Sequence, residues 1–190
     1  LWPVNKAMRS KNGSTDEDAE LLSFTRTTID HPEFSQTAEL LEEQLLQIGI
    51  EIMVDVLPSS SVYELAIKPR SYDMLLTGTQ LGIDPDPYPF WHSSQTSDPG
   101  LNLSGYSNRG VDTLLEDART TTNEEERVQK YREFQETLLE DVPAVFLYQS
   151  SYRYAISSKI NNVNLDYIFV PADRFANVHE WYIKTKKVLK

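Results

Sequence analysis

The chain has 190 residues, 39% hydrophobic and 11% aromatic, enough for one well-cored domain or one lobe of a larger protein. Eighteen Lys and Arg stand against 29 Asp and Glu, and the net charge of -11 repels phosphate backbones and anionic headgroups, which disfavours nucleic-acid and membrane-surface roles. There is no cysteine, which excludes thiolate zinc sites, iron-sulfur clusters, disulfide frameworks and cysteine nucleophiles, and no uncharged apolar run approaches the roughly 20 residues of a membrane span.

The chain opens Leu1-Trp2-Pro3 without an initiator Met or a signal-peptide pattern, and so reads as a piece cut from a longer chain. Residues 1–20, above all the polar stretch from Lys6 to Glu20, are expected to form a linker or a frayed surface segment. Leu21 to Thr28 reads as a strand, with Leu22 and Phe24 alternating against Ser23 and Thr25. A helix follows, in which Asp30 is expected to cap, Pro32 to occupy the first turn and Glu33 to close a capping box. Its apolar face is Phe34, Ala38, Leu41, Leu45 and Ile48, and Gly49 ends it in a left-handed conformation. Ile50, Ile52, Val54 and Val56 then form a second strand, and the right-handed crossover rule makes the two strands parallel.

Ser59 to Ile67 is expected to be a short helix, and Tyr72 to Thr79 a third strand buried on both faces. Gln80 to Ser107, stiffened by Pro85, Pro87, Pro89 and Pro99, is a long loop, and loops of that length inside compact domains are usually functional. Asn108 starts a helix with Val111, Leu114, Leu115 and Ala118 on one face. Thr122 starts another, whose buried stripe is Val128, Tyr131, Phe134 and Leu138, and Pro143 stops it. Glu124, Glu125 and Glu126 suit its first turn, where negative charge favours the helix dipole. Ala144 to Gln149 and Tyr152 to Ser157 read as two further strands, and Asn161-Asn162-Val163-Asn164 as a turn. The fold class is α/β with a mixed β-sheet flanked by helices, residues 21–165 forming the lobe and 166–190 an aromatic tail without clean periodicity.

The densest cluster of unusual residues is Asp84-Pro85-Asp86-Pro87-Tyr88-Pro89-Phe90-Trp91-His92, directly after the third strand. In open α/β sheets ligands bind outside the carboxyl ends of strands, and here prolines fix the backbone while carboxylates and flat aromatic rings offer contacts. The bland alternative is a connection whose aromatics dock on the core. A hydrolase-like reading takes Asp84, Asp86 and His92 as paired carboxylates with a base, or as metal ligands. Against it, His31, His92 and His179 fall at no metal-ligand spacing, and no phosphate loop or nucleophile elbow is present. The residues therefore imply neither metal nor cofactor. A third reading is a scaffold of the same fold that binds nothing.

Seven motifs in order resemble the C-terminal lobe of family 5 extracellular solute-binding proteins, the peptide, oligopeptide and nickel receptors of bacterial ABC importers. They are Leu21-Leu22-Ser23-Phe24-Thr25, Ala38 to Leu45 running into Ile48-Gly49-Ile50, Tyr72-Asp73-Met74-Leu75-Leu76, Asp84-Pro85-Asp86-Pro87, Ser104 to Asn108, Val111 to Leu115, and Val142-Pro143 to Tyr148. The resemblance implies one lobe of a two-lobed, type II periplasmic-binding fold that closes on its ligand. It also implies export from a bacterial cell, a periplasmic or lipid-anchored location, an N-terminal lobe to which residues 166–190 return, and an ABC permease as partner. The ligand would be a small peptide or other small molecule, its backbone paired with the strand end at Gly78 and Thr79. Its ammonium would meet an Asp of an Asp-x-x-Asp-Pro pattern, where this chain has Leu81. With the loop residues read above, the ligand-facing residues are expected to be Gly78, Thr79, Gln80, Leu81, Asp84, Asp86, Tyr88, Trp91 and His92, with no catalytic residue.

Overall fold

The computed structural model describes residues 22–81, 85–165 and 168–185. The readings made for residues 1–20 and for Asp84 lie outside them. Strand β1 (Leu22–Ile29), helix α1 (Pro32–Leu46) and strand β2 (Ile50–Leu57) form the expected β-α-β unit, with β1 and β2 parallel from Leu22 opposite Ile50 to Ile29 opposite Leu57. The even-numbered residues of both strands share the face that α1 covers, and Ile52 and Ala38 are buried between them. The cap of α1 differs from expectation. His31, in extended backbone, is the N-cap residue and no side chain caps the helix, because Asp30 sits one position too early. Gly49 does take the left-handed conformation, at φ 81°.

Strand β3 (Met74–Leu75) is far shorter than the eight residues expected, and pairs parallel to β1 through Arg26 and Thr27. The sheet order is β2-β1-β3. Thr28 Oγ1 extends the pairing by donating to Leu76 O at 3.1 Å, and the Asp73 carboxylate accepts from Thr25 N at 3.0 Å. Met74 is 36% exposed, so only Leu76 of this segment is truly buried. The expected helix at Ser59 reduces to a π-helical turn at Tyr63–Ile67, in which Ala66 is buried. Parallel and antiparallel pairing both occur, but in separate sheets: β4 (Ile160–Asn161) pairs antiparallel with β5 (Tyr182–Ile183).

The long loop is largely folded. It contains helix α2 (Tyr88–Trp91) and a 3-10 turn at Ser93–Gln95, because Pro87 and Pro89 suit the first turn of a helix and His92 can cap the turn that follows. Helices α3 (Arg109–Thr120) and α4 (Glu124–Asp141) pack as a pair. Asn108 and Asn123 cap them, each side-chain oxygen accepting two backbone N–H groups. Asn123 takes this place instead of Thr122 because only its amide oxygen reaches Glu125 N and Glu126 N. Val111, Leu115, Phe134 and Leu138 form the core between them, with Tyr88, Trp91, Tyr106, Leu114 and Tyr131 packed on its margin. Val128, expected in that stripe, is 52% exposed. Residues 144–149 and 152–157 form no ladder: a strand needs a partner, and among the described residues none runs beside them, so Val145 and Phe146 stand exposed.

Tyr106 and Asn108 both donate to Asp141 Oδ2, at 2.5 and 2.8 Å, fastening the entry of α3 to the end of α4. Burial, and then the bond to Asp141, push the Tyr106 phenol up to about 12. Between the ordinary tyrosine value near 10 and that value, the folded chain keeps a proton that the unfolded chain releases, so Tyr106 makes stability fall as pH rises through this window. Tyr106→Phe is therefore expected to flatten the alkaline limb of stability against pH, as read by urea unfolding between pH 9 and 11; identical slopes in the two proteins would contradict this.

Candidate functional site

The carboxyl edge of the parallel sheet is the place to look for a ligand, and its strand order turns at β1. From β1 the chain leaves through Asp30 and His31, both exposed, into the first turn of α1. From β3 it leaves through Gly78, Thr79, Gln80 and Leu81, all exposed. The two exits meet: a Cβ on Gly78 would lie 3.3 Å from Phe34 Cζ, so glycine lets this backbone rest against the Phe34 ring, whose edge contacts His31. Asp30, His31 and Phe34 were not singled out from the sequence. Their signal was the position directly after the central strand, from which the chain crosses first to one side, at β2, and then to the other, at β3.

The second group is Asp86, Tyr88, Trp91 and His92, brought together on α3. Asp86 Oδ1 accepts from Tyr88 N at 3.1 Å and Oδ2 meets Arg119 Nε at 3.1 Å, so the carboxylate is paired once within its own segment and once with α3. The Arg119 guanidinium lies over the Tyr88 ring at 4.3 Å, and that ring stacks on His92 at 4.2 Å. Trp91 packs against Tyr106, Phe146 and the α3–α4 core.

His92 is only 6% exposed. Ser94 N donates to Nδ1 at 3.1 Å, which makes Nδ1 the acceptor and leaves Nε2 to donate to Glu116 Oε1 at 3.2 Å. Ser93 donates through both N and Oγ to Asp112, at 2.8 and 2.5 Å. Ser93 thus fixes the Ser93–Gln95 turn to the start of α3, and the imidazole fixes it to Glu116 further along. His92, expected to face a ligand or to serve as a base, is buried with both ring nitrogens hydrogen-bonded. Among the described residues no three His, Asp or Glu side chains come together to hold a metal.

The expected site residues therefore separate into an exposed rim at residues 78–81 and a folded block at 86–92. Asp86 and Tyr88 are half-buried at the edge of that block. Gln80 reaches a third part of the chain, its Nε2 donating to Phe169 O at 3.0 Å.

This arrangement is similar to that of known proteins. No family model matches the chain. The chain is 28% identical over 174 residues to the oligopeptide-binding protein AppA of Bacillus subtilis, covering 90% of this chain and 31% of that protein. It is 27% identical over 132 residues to the probable D,D-dipeptide-binding periplasmic protein DdpA of Escherichia coli, covering 68% of this chain and 25% of that one. Among solved structures, AppA of Bacillus subtilis in complex with a nonapeptide superposes with a TM-score of 0.67 over 93% of this chain and 35% of its own, at 27% identity. The chain resembles family 5 solute-binding proteins in sequence and in fold. A second solute-binding neighbour, NikZ from Campylobacter jejuni in complex with Ni(L-His), gives a TM-score of 0.63 at 25% identity over 94% of this chain. The chain spans about a third or less of the length of the solute-binding relatives it matches.

Proposed function

We propose that this chain is the C-terminal lobe of an exported solute-binding receptor of an ABC importer, and that it captures peptides by closing against a second, N-terminal lobe. The observation that carries the reading is the likeness along nearly the whole chain to an oligopeptide-binding protein, in sequence and in a structure that holds a nonapeptide. The exposed backbone at Gly78 and Thr79, beside Phe34 and His31, supplies one wall of the site, and Asp86 and Tyr88 its far margin. The receptor sits in the periplasm or, lipid-anchored, at the outer face of the membrane, and delivers its ligand to a permease. Residues 166–190 lead back toward the second lobe. On this reading the lobe does no covalent chemistry, in keeping with its likeness to binding proteins.

One wall binds weakly, because closure supplies contacts from both sides and expels water. By calorimetry the 190-residue chain should bind a nonapeptide no more tightly than about 0.1 mM, near -5.5 kcal/mol. The two-lobed protein that carries it should bind the same peptide at micromolar concentration or below. Micromolar binding by the chain alone would overturn the shared site. Failure of the two-lobed protein to take any peptide of two to nine residues, with uptake of a nickel-histidine complex instead, would overturn the substrate class.

A further inference from the structure

The packed elements fall into two halves. β1, α1, β2 and β3 pack on one another, and so do α2, α3 and α4. Each half carries one rim of the proposed site, residues 78–81 on the first and Asp86 with Tyr88 on the second. What ties the halves together passes mainly through residues 63–72. Tyr63 OH donates to the Asp98 carboxylate, Tyr72 OH donates to Leu103 O at 2.5 Å, and Arg70 reaches between them. A looser second route runs through the exposed segment 144–150, where Tyr148 meets Thr37 at 2.8 Å and Phe146 meets Trp91.

Arg70 is unusual twice over. Its backbone takes φ 55°, a left-handed conformation that a residue bearing a Cβ resists and that persists only where the surroundings enforce it. Among the described residues its guanidinium donates only to backbone carbonyls: Nε to Thr96 O at 3.0 Å, Nη2 to Gly100 O at 2.6 Å, and Nη1 to Ile67 O of its own turn. The receiving loop is built to match. A Cβ on Gly100 would fall 2.2 Å from Gln95 O, so only glycine folds the loop tightly enough to present Thr96 O and Gly100 O side by side. A planar fork of donors is what two such carbonyls require, and a lysine ammonium has no equivalent.

We infer that Arg70 is a positioning residue that sets the angle between the sheet half and the α2–α4 half, and through that angle the width of the ligand crevice. As a statement about the two halves it stands by itself; as a statement about capture it rests on the proposed function.

The absence of cysteine makes the test simple, since spin labels at Glu39→Cys on α1 and Arg132→Cys on α4, both exposed, are the only ones introduced. With Arg70 present the distance distribution should be single and narrow. Arg70→Gly, which accepts the left-handed backbone and lacks the fork, should at least double its width while the melting temperature moves little. Arg70→Lys keeps charge and stem, should broaden it likewise, and carries the decision if the glycine variant fails to fold. An unchanged width in the folded variants overturns the inference. In the two-lobed protein the doubled width should accompany at least a tenfold loss of nonapeptide affinity. A doubled width with unchanged affinity would overturn the placing of the crevice between the halves while leaving the Arg70 clasp intact.

Discussion

Arg26→Met should stabilise the chain by about 1–3 kcal/mol, the cost of burying polar donors without partners. Arg26 lies in the central strand, is 2% exposed, and faces α1 beside Val54 and Met74. One of its nitrogens donates to Ala38 O, while Nε and Nη1 are buried without a partner among the described residues. Burial lowers its pKa from the ordinary arginine value, with the Glu42 carboxylate opposing. Methionine follows the same unbranched path with no donors to satisfy, and Ala38 O, in the middle of α1, keeps its intrahelical bond. The measurement is the urea midpoint of the variant against the parent. A variant less stable by 1 kcal/mol or more would mean that the guanidinium has partners in solution that outweigh its burial.

Leu115→Ala should have the opposite sign and a larger size, a loss of about 2–5 kcal/mol. Leu115 is fully buried between α3 and α4, touching the cluster of Val111, Phe134 and Leu138. Truncating it removes apolar contacts and leaves a void that two capped helices cannot close, because their ends are fixed by Asn108 and Asn123. The exposed Leu139 on α4 is the control, since Leu139→Ala removes the same atoms from water-facing surface and should change stability by less than about 0.5 kcal/mol. Equal losses for the two would show that α3 and α4 do not pack as described.

Local patterns carried the β1-α1-β2 unit and the α3–α4 pair into view, because the first switches from period 2 to period 3.6 and back across Gly49, and the second keeps period 3.6 in two helices entered through polar capping residues. What escaped depends on partners distant in the chain. Residues 144–157 have the composition of strands, but composition does not supply a neighbouring strand. Helix α2 has too few residues, and too many prolines, to show a period. Arg26 reads as a solvent-facing charge unless its parity is followed: it shares the face of Phe24 and Thr28, which α1 covers. The pattern places Gly78 and Thr79 inside a strand, and only the family resemblance points to them. The burial of His92 was not legible, since the network that buries it spans 24 residues to Glu116.

Among the described residues strand β2 lies at an edge, pairing with β1 alone. An unpaired edge eight residues long is a template on which a second copy of the chain could add itself. In the fullest antiparallel register, Ile50 of one copy opposite Leu57 of the other, the charged Asp55 would face Ile52. Of the two registers one residue shorter, the one centred on Met53 would stand Glu51 of each copy opposite Asp55 of the other, where like charges repel, and the one centred on Val54 would set Asp55 against Met53. Two carboxylates spaced four apart thus discourage the three longest self-pairings, and the strand that shapes the lobe also resists the joining of sheets between neighbouring molecules.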